Sequence, residues 1–190
     1  MSEMRVWKLH VDGNKYCSFV PHDLRYFESR FICQPLADHW DAPAVGVSGR
    51  SKPAGDFAVW MARSPVVSEQ ARDLIADLAG GDVELLPFHT VKSKRYFVLN
   101  VLRCEDYLDM PRCDFTVCYE RFVFRPNLPV SLPPIFKCPG RWGEIFITGR
   151  FAEMLVKNNL RGVALADPAE STMPLILAKA EINRYPGLIT

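Results

Sequence analysis

A chain of 190 residues with 48% apolar and 12% aromatic residues can bury the core of one domain, which excludes an intrinsically disordered protein. Its 23 basic and 22 acidic residues nearly cancel, so no general electrostatic field attracts a nucleic acid. No apolar run reaches the length of a membrane-spanning helix, and Arg5, Lys8 and His10 interrupt the start, where a signal peptide would be apolar. We therefore expect a soluble cytoplasmic protein with neither a nucleic-acid nor a membrane partner.

The first predicted elements are a strand and a helix. In RVWKLHV, the residues Trp7, Leu9 and Val11 alternate with the other side chains, as in a half-buried strand, and DGN then forms a turn. In PHDLRYFESRFI, residues 21–32, apolar residues recur at helical spacing behind a proline that suits a helix start. Residues 34–55 lack any periodicity, and so long a connection is either mobile or functional.

The clearest predicted helix follows a second strand, DFAVWM. It covers residues 68–79, where apolar side chains recur at helical spacing and form one stripe. Ser68 is a suitable N-cap because its hydroxyl can accept a hydrogen bond from an amide of the first turn, and Gly80-Gly81 can end the helix. The predicted stripe consists of Ala71, Leu74, Ile75, Leu78 and Ala79.

Strands dominate the rest of the chain. VELLPF and YFVLNVL are two predicted strands joined by the basic turn KSKR, and the alternating segment DFTVCYERFVF, residues 114–124, predicts one long strand. The short strand EIFITG precedes a predicted helix over residues 149–157 with Thr148 as its cap, and VALA returns as a strand.

These elements predict the fold class. Strands mixed with a few helices and hairpin-like connections favour an α+β fold over a doubly wound sheet. We expect a mixed, mostly antiparallel sheet with about three helices, in a single domain over residues 1–190 that could divide into two lobes. Residues 1–40 would form an N-terminal strand–helix segment of this domain.

Cysteine chemistry is the first candidate for an active site. The six cysteines include no C-x-x-C pair and no second pair at metal-ligand spacing, so we expect reduced, buried thiols and no metal or cofactor. Cys138 follows Lys137, whose positive charge would lower the pKa of the thiol. His89 is the only histidine beyond residue 39, but no nucleophile signature ties it to Cys138. A small cytoplasmic hydrolase with a cysteine nucleophile remains an alternative.

Acidic residues cluster in the polar segment CEDYLDMPRCD. A hydrolase with paired carboxylates would need two of them held at a set distance in a cleft, so a solvated loop is the favoured interpretation. The functional alternatives are such a hydrolase, or a contact for a basic partner through Asp106 and Asp109. The glycines at 140, 143 and 149 fit no phosphate-binding motif, and we assign no catalytic or cofactor-binding residue.

The segment KCPGRWGEIFITGRF, residues 137–151, suggests a binding function. Tryptophan and arginine are over-represented among the residues that dominate the energy of protein interfaces. We therefore predict that Arg141 and Trp142 contact a partner, with Trp142 as a cap on the core as the alternative. The same reasoning extends to Trp40 in the long N-terminal connection.

Several segments recur in an order typical of one family. The matching segments, in chain order, are a "pvvSe" segment with the start of its helix at residues 65–72, an "lLP" strand at 85–87, a "vLnv" strand at 96–101, an "iFk" segment at 135–137 and an "iFvt" segment at 145–148. Further matching positions are Asp56, Phe57, Phe151, Leu160 and Gly162. In this order the chain resembles the eleventh family of bacterial immunity proteins defined from polymorphic toxin systems, formerly a domain of unknown function. The resemblance covers roughly residues 40–165, and we expect residues 41–190 to form the family-like region.

The resemblance implies a function without catalysis. A member of this family would be encoded beside a toxin, bind that cognate toxin and neutralise it, with no cofactor. The near-neutral charge of this chain favours a toxin other than a basic nuclease, or a mainly apolar contact. The alternatives are the small hydrolase described above and a general protein-interaction module that forms homo-oligomers.

Overall fold

The computed structural model describes residues 5–22, 30–61, 64–116, 119–170 and 175–176. Within these ranges the chain forms thirteen strands and two α-helices. The strands are β1 (Val6–Val11), β2 (Ser18–Pro21), β3 (Val45–Ser48), β4 (Phe57–Met61), β5 (Ser64–Ser68), β6 (Val83–Val91), β7 (Lys94–Val101), β8 (Asp114–Thr116), β9 (Tyr119–Arg121), β10 (Ile135–Cys138), β11 (Arg141–Thr148), β12 (Val163–Ala166) and β13 (Leu175–Ile176). The helices are α1 (Glu69–Ala79) and α2 (Gly149–Lys157).

Most strands belong to two antiparallel sheets. The five-stranded sheet has the order β10-β11-β1-β12-β13, and the four-stranded sheet has the order β4-β5-β7-β6. β2 pairs with β3, and β8 pairs with β9, as separate two-stranded sheets. The predicted α+β class and mostly antiparallel pairing are confirmed. Neither helix in the described part of the chain is both long and apolar enough to cross a bilayer.

A central core lies between the two sheets and both helices. In β7, Phe97 and Leu99 point into this core, whereas Tyr96 and Val98 point to the opposite face, because successive strand residues alternate. The predicted inward face of β1 is confirmed. The core residues of the five-stranded sheet are Trp7, Leu9, Ile135, Ile145, Ile147, Val163 and Leu165.

Each sheet also carries a hydrophobic layer on its outer face. Over the four-stranded sheet, Phe19 and Trp60 belong to a cluster that the β2–β3 pair helps to cover. Over the five-stranded sheet, Phe122, Phe136 and Phe146 form a second aromatic cluster. The two outer clusters therefore lie on opposite sides of the central core.

Helix α1 forms as predicted. The Ser68 hydroxyl accepts a hydrogen bond from the Ala71 amide at 3.4 Å, and Gly80 ends the helix with φ +50°. Ala71, Ile75 and Ala79 are buried, and the two leucines of the stripe pack at the margin of the core. Helix α2 also has the predicted bounds, and Thr148 is its N-cap residue as predicted, but the Thr148 hydroxyl makes no capping hydrogen bond to a described residue.

Three predictions about elements need correction. The described residues contain two α-helices rather than about three. The helix expected over residues 21–32 falls mainly on residues 23–29, which lie outside the described part of the chain, and residues 30–32 are not helical. The segment 114–124 is not one strand: β8 and β9 pair with each other, with Phe115 opposite Glu120. Residues 34–55, expected to lack structure, contribute β3, and β2 and β5 were not predicted.

Asp56 joins the four-stranded sheet to the segment before β12. Its side chain is buried and accepts hydrogen bonds from the Ser68 hydroxyl at 3.1 Å, the Lys94 ammonium at 2.8 Å and the Arg161 amide at 3.0 Å. Burial by itself would raise the pKa of Asp56, but the Lys94 and Arg161 hydrogen bonds outweigh it and lower the pKa below 3.8. The carboxylate therefore stabilises the junction in its ionised form.

Gly162 completes this junction. It has φ +88°, and a Cβ at this position would lie under 3.0 Å from the Phe57 carbonyl oxygen, which is backbone and has little freedom to move. The amides of Asp56 and Phe57 both donate to the Arg161 carbonyl, at 2.7 and 2.8 Å. Close contact between these two backbone segments therefore requires glycine at 162.

Candidate partner-binding site

A cleft opens within the five-stranded sheet where β11 separates from β1. The two strands pair from Val6 opposite Thr148 to Lys8 opposite Phe146, and the pairing then stops. Residues 9–11 and 143–145 would continue the ladder, but they instead line a cavity of about 380 Å3. The full lining is Lys8, Leu9, His10, Val11, Val59, Pro65, Glu120, Gly143, Glu144 and Ile145, and we call this cavity the β1–β11 cleft.

Strand pairing explains why the cleft forms there. β1 keeps its partner β12 as far as Val11 opposite Val163, whereas β11 keeps its partner β10 as far as Arg141. The β10–β11 ladder is irregular just after Phe136 opposite Phe146, which is the level at which β1 loses β11. Such an irregularity increases local twist, so β11 turns away with β10 while β1 stays with β12.

Charged side chains occupy the cleft. The Lys8 ammonium lies 2.7 Å from a carboxylate oxygen of Glu144 and 3.1 Å from one of Glu120. It also lies 4.9 Å from the centre of the Phe122 ring, which contributes a cation–π contact. Glu120 is 41% exposed and Glu144 19% exposed, so the two carboxylates lie at different depths. One ammonium thus faces two carboxylates.

Burial changes the titration of two groups in the cleft. It raises the pKa of Glu144, an effect that the ion pair with Lys8 opposes and the neighbouring Glu120 reinforces. Burial and the positive charge of Lys8 lower the pKa of His10 to about 4, so its imidazole is neutral at pH 7. The cleft therefore holds two carboxyl groups against one ammonium and a neutral imidazole.

The predicted contacts Arg141 and Trp142 lie beside the cleft. They form the half-buried start of β11, which continues directly into Gly143 and Glu144. The Arg141 guanidinium carbon lies 3.2 Å from the centre of the Phe115 ring, and Trp142 is half-buried. Both residues therefore lie on a strand that borders the cleft, although neither lines the cavity.

The other predicted contacts lie elsewhere. The Trp40 indole donates to the Pro87 carbonyl at 2.7 Å and packs in the aromatic cluster outside the four-stranded sheet. Asp106 pairs with Arg125 at 2.7 Å. Asp109 lies 3.8 Å from the Arg112 guanidinium, in the loop outside the five-stranded sheet. The structure does not bring Trp40 and these aspartates together.

Sequence reasoning missed Lys8, His10, Glu120 and Glu144 as site residues. The available signal was the polar face of β1, where Lys8 and His10 alternate with the core residues. A polar face is typical of any strand exposed on one side, so it did not indicate a cleft. The carboxylates come from β9 and β11, which only the fold brings to β1.

The alternative cysteine site is not assembled in the described structure. Cys138 is 1% exposed, and burial raises the pKa of its thiol to about 12, so the predicted lowering by Lys137 is wrong. The Lys137 ammonium instead donates to the carbonyls of Phe31 and Trp142, at 2.9 and 3.0 Å. His89 is exposed on β6 of the other sheet.

We expect iodoacetamide at pH 8 to modify Cys104 in the native protein and to leave Cys138 unmodified. Cys104 is exposed, whereas Cys138 is buried and its pKa of about 12 leaves almost no thiolate at this pH. Mass spectrometry of tryptic peptides measures both sites, and the unfolded protein, in which both should react, is the control. Equal labelling of the two native thiols would contradict the buried position of Cys138.

Comparison of the chain with models of known protein families and with curated proteins finds no match.

Proposed function

We propose that the protein is a bacterial immunity protein that binds a cognate toxin, encoded by a neighbouring gene, and neutralises it in the cytoplasm. The observation that carries the proposal is the order of segments in which this chain resembles the eleventh immunity family. Neutralisation would be stoichiometric, because a bound inhibitor acts by covering an active site or by blocking a conformation that the toxin requires.

Contacts among the matching positions support the proposal. Gly162 is far from Asp56 and Ser68 in the sequence, yet the three residues form one junction, in which Asp56 accepts a hydrogen bond from the Ser68 hydroxyl and Gly162 packs on Phe57. Phe151 and Leu160 belong to the central core. Residues of this kind preserve a scaffold, which is how a family with variable partners would keep its fold while its binding surface changes.

The β1–β11 cleft also supports a binding role. Ligand pockets typically span about 300–1,000 Å3 and combine apolar walls with a few polar groups. The cleft fits this description, with Val11, Val59 and Pro65 beside its charged residues. The carboxyl groups of the cleft can contact a basic partner locally, although the net charge of the whole chain is close to zero.

Co-expression with the toxin domain encoded by the adjacent gene tests the proposal. We expect this protein to restore growth of the cells and to elute with the toxin as one complex in gel filtration. An exposed-site variant, Asp73→Ala, should protect equally well, because Asp73 lies on the solvent face of α1. Continued killing without a complex would reject the proposed function.

A further inference from the structure

We propose that the β1–β11 cleft binds a lysine or arginine side chain of the partner protein, whose charged head contacts the carboxylates of Glu120 and Glu144 beside the Lys8 ammonium. The identity of the partner as a toxin rests on the function proposed above, whereas the chemistry of the cleft follows from its own residues. The partner must supply a basic side chain long enough to enter the sheet between two strands.

The charges inside the cleft favour a cationic group. Lys8 is shared between two carboxylates, at 2.7 and 3.1 Å, and His10 is neutral at pH 7, so the second carboxylate has no positive charge of its own in the cleft. A guanidinium or ammonium would supply that charge. Because the site is partly shielded from water, the attraction would exceed that of an exposed ion pair.

The shape of the cleft favours a long side chain over a metal ion. Val11, Val59 and Pro65 give it apolar walls, against which the methylene stem of an arginine or lysine can pack while the charged head reaches Glu144. Among the described residues, no three acidic, histidine or cysteine side chains are grouped so that they could hold a metal.

The unpaired strand edges add hydrogen-bonding capacity. Where β1 and β11 separate, residues 9–11 and 143–145 lose each other as ladder partners, although β1 keeps its partner β12. Backbone carbonyls at such an edge accept hydrogen bonds from an incoming chain or from a guanidinium, which carries five N–H donors. Arginine therefore suits the cleft better than lysine does.

Calorimetric titration of the toxin domain into wild-type protein and charge variants provides the first test. We expect Glu144→Gln to weaken binding by about 30-fold or more, and the more exposed Glu120→Gln to weaken it by about 3- to 10-fold. Glu153→Gln makes the same charge change on the exposed face of α2 and should leave the affinity unchanged. Thermal melts monitor folding, and Glu120→Gln keeps the test valid if Glu144→Gln proves unstable.

A second probe makes the cleft testable without the toxin. N-acetyl-arginine methylamide at millimolar concentration should shift the amide resonances of His10, Gly143 and Glu144, whereas the neutral norleucine analogue should not. Toxin binding that all the variants retain would overturn the cleft assignment and leave the proposed function standing. Arginine-dependent shifts without toxin binding would support the cleft and reject the function. The absence of both toxin binding and arginine-dependent shifts would reject the cleft assignment and the proposed function.

Discussion

Replacing Gly162 with valine is expected to prevent the protein from folding. The residue has φ +88°, which L side chains rarely adopt, and any Cβ would clash with the Phe57 carbonyl oxygen. Because that oxygen belongs to the backbone of β4, relief would require the four-stranded sheet to move away from the segment before β12. We expect the loss of stability to exceed about 4 kcal/mol, the range of exceptional single substitutions.

Expression in the soluble fraction and circular dichroism measure this effect. Gly81→Val is the matched control, since a Cβ at Gly81 meets no atom within 4 Å and the residue does not have a positive φ. The control should fold and lose no more than about 1 kcal/mol. A Gly162→Val protein with native spectra and melting would mean that the two backbone segments do not meet as described.

Replacing Asp56 with alanine is expected to lower the free energy of unfolding by about 3 kcal/mol at pH 7. The substitution leaves the buried Ser68 hydroxyl and the part-buried Arg161 amide without their acceptor. Lys94 and Arg161 are 32% and 56% exposed, so water can solvate their charges, and the loss stays at the lower end for a broken buried pair. Urea denaturation measures the difference.

The same residue should make stability depend on acid. Its folded pKa lies below the ordinary value of 3.8, so the unfolded chain binds a proton first as the pH falls. The stability that Asp56 contributes is therefore complete well above pH 3.8 and disappears as the pH falls from there through the folded pKa. Asp56→Ala should lose this part of the acid dependence, while the exposed Asp73→Ala should keep it. Identical acid profiles for wild type and Asp56→Ala would contradict the ionised junction.

Local signals made some elements predictable. Helix α1 has its cap, its apolar stripe and its terminating glycine within a single stretch of sequence, so its bounds could be predicted without the fold. The β8–β9 pair illustrates the opposite case. Alternation of side chains is the same in one long strand and in two paired strands, and no glycine or proline lies between Asp114 and Arg121 to mark the reversal.

The candidate site depends on contacts that the sequence does not encode locally. Lys8, Glu120 and Glu144 come from three strands, and nothing near any of them indicates that β1 lies in the middle of a sheet or that β11 leaves it. Arg141 and Trp142 could be selected from residue type alone, because interface preferences act through composition. The neighbouring cleft could not be predicted in this way, because it depends on the register in which the strands pair.

The position of β1 also constrains the order in which the polypeptide can fold during synthesis. The four-stranded sheet and α1 are made from one continuous stretch and could assemble while later residues are still being added by the ribosome. β1 emerges first, yet its two neighbours, β11 and β12, emerge near the end of the described chain. The apolar face of β1 therefore stays uncovered until those strands are made, so Trp7 and Leu9, which are buried in the folded protein, remain exposed on the nascent chain.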